Sequence, residues 1–119
     1  MTNNRKSTRY YSERHEKLVA KTLGGRVQPN SGATSFALGD VKLEDWLLEC
    51  KTSTTVKDSY SIKKIELEKL NRERYEMRKG FCALCFNFGE STQNYYVIDE
   101  GTMKQFLEVL EREANGRNL

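Results

Sequence analysis

The stretch from Gly39 to Lys51 constrains this chain more than any other. Its bulky residues Trp46, Leu47 and Leu48 favour a strand, and alternate side chains of a strand share a face, so Glu49 and Lys51 point the same way. Folding back about Glu44-Asp45 gives a hairpin whose antiparallel register sets Asp40 opposite Glu49 on that same face. Two carboxylates then converge beside one ammonium. Asp45 does not join them, because four residues along a strand separate side chains by roughly 13 Å. It is turn chemistry.

Carboxylate oxygens are hard ligands that suit magnesium or manganese, ions that keep several waters and take one or two protein carboxylates together with a substrate phosphate. Asp40, Glu49 and Lys51 therefore suggest hydrolysis of a phosphodiester, with Lys51 orienting the attacking water or offsetting charge on phosphorus. The plain alternative is a solvated hairpin face carrying a cross-strand ion pair. The polar exit Thr52-Ser53-Thr54-Thr55 offers a surface for a DNA backbone, with Thr52 and Ser53 as contacts.

Composition places this site in one domain, residues 1–119, since the length suits a single modest core and no second compositional regime appears. The net charge is only +3, but Arg5, Lys6, Arg9, Arg14, Lys17, Lys21 and Arg26 crowd the start against Glu13 and Glu16. That makes the first segment the phosphate-facing surface, with residues 1–7 a flexible basic arm. No apolar run approaches the roughly 20 residues of a membrane span, and the polar start lacks a signal-peptide core. An intracellular, cytoplasmic protein is expected. Three cysteines argue against a disulfide framework. Cys82 and Cys85 form a lone C-x-x-C within an apolar strand that turns them to opposite faces, so they read as core residues and not as zinc ligands. His15 reads as helix-face packing or a phosphate contact.

Along the chain, Thr8 to Leu23 reads as a helix, with Tyr11, Leu18, Val19, Thr22 and Leu23 at helical spacing and Gly24-Gly25 as its stop. Glu16 lies at the edge of its buried face and is a candidate site carboxylate. Glu13 is the alternative. Arg26-Val27-Gln28 is a short strand ended by Pro29, and Asn30 to Ser35 form a small-residue loop whose Asn30 and Ser31 can donate to a phosphate backbone. After the hairpin, a helix from Ser61 to about Lys79 places Ile62, Ile65, Leu70 and Met77 inward, stops at Gly80, and turns a mixed Lys, Arg and Glu side to solvent. Phe81 to Phe88 and Tyr95 to Ile98 are strands. Thr102-x-x-Gln105 is a capping-box signal for a last helix carrying Phe106, Leu107 and Leu110. The order α-β-β-β-α-β-β-α implies a mixed α/β (α+β) fold with a central mixed sheet flanked by helices.

In the order and spacing of Glu16, Asn30-Ser31-Gly32-Ala33, Gly39-Asp40-Val41, Glu49-Cys50-Lys51 and Tyr60-Ser61-Ile62-Lys63-Lys64, the chain resembles the PD-(D/E)xK nuclease superfamily. Within it the chain is most similar to small archaeal Holliday-junction resolvases and their bacteriophage relatives. Gly39 stands where the family's name has proline, and the interval from Asp40 to Glu49 is short, requiring a tight hairpin. The resemblance implies a restriction-endonuclease-like fold. It also implies a divalent metal, Mg2+ or Mn2+, held by Asp40, Glu49 and the Cys50 carbonyl, with Lys51 serving the attacking water and Glu16 completing the site. Lys63 and Lys64, at the opening of the helix in that pattern, join the expected DNA contacts.

The expected function is a metal-dependent endonuclease on branched DNA. A homodimer follows from the need to cut two strands symmetrically, with Tyr95 and Tyr96 or the last helix as its surface. The alternatives are the same chemistry on nicked, flapped or duplex DNA, or a non-catalytic nucleic-acid-binding module.

Overall fold

The computed structural model describes residues 7–29, 39–90 and 92–117. Among these residues the order is α1 (Thr8–Leu23), β1 (Arg26–Val27), β2 (Val41–Lys42), β3 (Trp46–Lys51), α2 (Lys64–Glu76), β4 (Phe81–Phe86), β5 (Tyr95–Val97) and α3 (Glu100–Arg117). It is the mixed α+β order expected. The strands form one sheet in the order β1-β2-β3-β4-β5, antiparallel except for the parallel β3–β4 pair that α2 connects. No described helix is long and apolar enough to cross a membrane.

Alternation along the strands splits the core into two layers. Leu48 and Cys50 of β3, with Val41, Ala83 and Cys85, pack under Val19 and Ala20 of α1. Leu47 and Leu84 face Leu70 of α2, with Leu67, Met77 and Cys82 at the margin. Cys82 and Cys85 therefore do lie on opposite faces, and the three cysteines are free thiols.

Several local expectations are corrected. In α1 the buried residues are His15, Val19 and Ala20, whereas Leu18 and Leu23 are exposed. The helix is capped by Ser7 Oγ, which accepts from the Tyr10 N–H at 3.1 Å, and ends at Gly24 in the left-handed conformation. α2 begins three residues later than Ser61, so Ile62 lies before it and Ile65 faces solvent. It also stops short of Gly80, the reversal being made by Arg78 at φ 56°. α3 is capped by Asp99, whose Oδ1 accepts from the Thr102 N–H at 2.8 Å, and not by Thr102 itself. That bond holds the Asp99 carboxyl below its usual range.

The hairpin turn is stitched to the loop that closes α2. Leu43 N–H donates to the Trp46 carbonyl, which places Glu44-Asp45 at the turn. Asp45 Oδ1 accepts from the Gly80 N–H at 2.8 Å, and Lys79 Nζ donates to the carbonyls of Leu43 and Glu44. The turn is thereby fixed from outside, and with it the register that follows.

Candidate active site

Asp40 is held from three directions. Its N–H donates to the Leu48 carbonyl at 2.9 Å, its own carbonyl accepts from the Gln28 N–H at 2.8 Å, and its Oδ2 accepts from the Cys50 N–H at 2.8 Å. Val41 pairs with Leu48 and Lys42 with Leu47, so Asp40 lies just before the start of β2, where its charge acts on Glu49. β2 runs no further on that side, so the Asp40 carboxylate takes the place of the missing ladder acceptor for Cys50. The N–H and C=O of one strand residue leave on the same edge, which directs the Cys50 carbonyl toward Asp40 as well.

Gly39 sets up this approach. Its φ of 70° is closed to proline, whose ring fixes φ near −65°, and a Cβ there would meet Leu47 Cδ1 at 2.6 Å. Glycine at this position is thus a requirement of this backbone. The Gly39 N–H donates to Glu73 Oε1 at 3.1 Å.

Glu49 and Lys51 share the α2 side of the sheet. Lys51 Nζ lies 4.0 Å from Glu49 Oε1 and 3.6 Å from Glu66 Oε1. Glu16 reaches Asp40 from α1, and the two line a cavity of about 390 Å³ with Arg9, Lys17, Gln28 and Gly39. The electrostatics record the crowding. Burial and then the charge of Asp40 raise Glu49 to about 7, and the same two causes raise Glu16 to about 7. Asp40 is also raised by burial, against the Cys50 N–H and Lys51. Glu13 is exposed and paired with Arg9 at 3.0 Å, and it lines the same cavity.

Three residues of α2 were missed in the sequence. Glu66 engages Lys51, Glu73 holds Gly39 and presses on Asp40 and Glu49, and Lys69 offsets both of those charges. Their spacing, at 66, 69 and 73, marks one helical face. That signal was present but hidden within a segment whose charges alternate.

Of the other expected contacts, Ser53 is corrected. Ser53 is buried, its hydroxyl donating to the Asn87 carbonyl at 3.0 Å, and so it is not on a DNA-facing surface. Thr52 turns inward to His15 Nδ1 at 2.9 Å, while His15 Nε2 meets Asn94 Oδ1 at 2.9 Å. His15 is thus a buried strut joining α1 to the ends of β3 and β5. Arg14 pairs with Glu90, Lys64 with Glu68, and Lys63 is the exposed N-cap residue of α2. Arg5, Lys6, Asn30 and Ser31 lie outside the described residues.

Among the described residues no group of three or more His, Cys, Asp or Glu side chains is arranged to hold a metal ion. The donors here are of a different kind. The carboxylates of Asp40 and Glu49 and the Cys50 carbonyl are hard oxygens, and burial is the first cause that raises both carboxyls, with the charge of Asp40 adding to it at Glu49. Oxygen donors of this kind suit a magnesium-type ion that keeps most of its water. Compared with protein-family models, with curated proteins and with solved structures, the chain matches none.

Proposed function

We propose that this chain is a divalent-metal-dependent endodeoxyribonuclease of restriction-endonuclease-like fold, acting on branched DNA as a homodimer. The observation that carries the reading is Asp40 tethered to the Cys50 amide, its charge acting on Glu49, with Lys51 beside Glu49. Mg2+ or Mn2+, when bound, would polarise the phosphate and supply a nucleophilic water. Asp40, Glu49 and the Cys50 carbonyl hold the ion, Lys51 orients the water and offsets developing charge, and Glu16 closes the site from α1. Glu66 and Glu73 position Lys51 and Gly39 from behind. Arg9 and Lys17, which line the cavity with Glu16 and Asp40, offer the phosphate backbone its approach.

The test is one gel series. Four-way junction, flap, nicked and linear duplex DNA are incubated with Mg2+, Mn2+ or EDTA. Metal-dependent cleavage with preference for the junction is expected. Equal nicking of all substrates removes the branch preference and leaves the hydrolase. Binding with no cleavage in either metal identifies a non-catalytic nucleic-acid-binding module.

A further inference from the structure

From Met103 to Gly116 every residue of α3 is exposed, yet Met103, Phe106, Leu107, Val109 and Leu110 lie on this stretch, each exposed by between 41% and 61%. Met103, Leu107, Leu110 and Ala114 recur at the alternating four- and three-residue steps of a helix-pairing seam. The neighbouring sheet face is open too. α1 packs over β1, β2 and β3, and beyond it Leu23, Trp46, Ala83, Tyr96, Ile98 and Phe106 line an apolar cavity of about 340 Å³. Phe106 stands over Trp46 with ring centroids 5.6 Å apart, so cavity and seam form one continuous surface.

We infer that this surface is an isologous interface with a second copy of the chain, the two α3 helices packing antiparallel across a two-fold axis. The seam is self-complementary in that sense only. Centred between Leu107 and Leu110, the antiparallel alignment sets Leu107 against the partner's Leu110 and Met103 against the partner's Ala114, large against small. A parallel alignment would stack Ala114 on itself and leave a gap. Charge selects the same direction. Lys104 and Glu111 flank the seam on one side, and the antiparallel alignment brings each Lys104 to the partner's Glu111, twice by symmetry. Trp46, Tyr96 and Phe106 supply the aromatic anchors beside it.

This adds a surface to the homodimer proposed above, and it stands on α3 independently of the carboxylate chemistry. Sedimentation of the full chain over a range of concentrations tests it. The wild type is expected to be a dimer, and Leu107→Glu with Leu110→Glu a monomer with unchanged far-ultraviolet circular dichroism. Lys104→Glu turns two symmetric attractions into repulsions and should weaken the dimer about tenfold. Adding Glu111→Lys should restore it. A wild type that stays monomeric overturns the proposal, whether or not it binds anionic phosphatidylglycerol vesicles. So does a dimer that survives the double glutamate variant. Failure of Glu111→Lys to rescue Lys104→Glu overturns the antiparallel register. Nicking assays on the same preparations separate the two readings: an inactive dimer counts against the hydrolase alone, and an active monomeric wild type counts against the interface and the homodimer while leaving the hydrolase standing.

Discussion

Asp40 Oδ2 accepts the Cys50 backbone N–H at 2.8 Å, so the carboxylate at the start of β2 is tethered to the one amide that lies between Glu49 and Lys51. A side chain placed this way does not depend on its own rotamer preferences for its position. It moves only if β3 moves, and β3 is the parallel partner of β4 in the middle of the sheet.

Asp40→Asn and Glu49→Gln should reduce metal-dependent cleavage to background while leaving the fold intact. Each swap keeps shape and removes a charged ligand, and asparagine retains an acceptor for the Cys50 N–H. Circular dichroism with a cleavage assay checks both halves. Turnover at the wild-type rate by either variant in Mg2+ would count against the proposed site.

Lys51→Ala should separate chemistry from binding. Its ammonium stands beside Glu49 and Glu66, whereas Arg9 and Lys17 are exposed and line the cavity. Cleavage is expected to fall by orders of magnitude with DNA affinity nearly unchanged at fixed salt. Arg9→Ala with Lys17→Ala should do the reverse and flatten the salt dependence of binding.

Stability should carry the signature of the crowded carboxylates. Glu49 titrates near 7 in the folded chain against an ordinary 4.5, so between those values the folded state holds a proton that the unfolded state releases. That contribution is fully present below pH 4.5 and lost as pH rises through 7. Glu49→Gln removes it. The variant should therefore match the wild type near pH 4.5 and exceed it at pH 8 by about 1–3 kcal/mol in urea unfolding with EDTA present. A difference that does not vary with pH would contradict this.

Gly39→Ala should destabilise the chain by about 2–4 kcal/mol, combining left-handed strain with overpacking against Leu47. Gly39→Pro should be worse, since it also deletes the N–H that Glu73 accepts. Thermal unfolding of the two variants gives the ranking.

How much of this was readable in advance depends on the period of each signal. The hairpin register follows from a two-residue alternation and a local turn, and its Val41–Leu48 pairing emerges as expected. The bounds of α1 follow from its spacing and the Gly24 stop. α2 was harder, because Glu66, Lys69 and Glu73 cannot be told from a solvated face without knowing that Asp40, Glu49 and Lys51 stand opposite. Burial of His15 and Ser53 was not legible, since their partners Asn94 and Asn87 lie far along the chain. The exposure of Ile65 follows from where the helix begins, which spacing alone leaves open by several residues.

Because strand order in the sheet repeats strand order in the chain, each strand finds its partner in the segment just made or the next one. The β2–β3 hairpin closes over a short span, whereas the β3–β4 pairs join residues 35 apart, so loop-closure entropy falls mostly on the crossover. The Asp40–Lys51 hairpin can close early as a local nucleus, leaving the β3–β4 crossover through α2 as the slow step. Substitutions in the hairpin should then slow refolding, while those in α3 should act on unfolding or not at all.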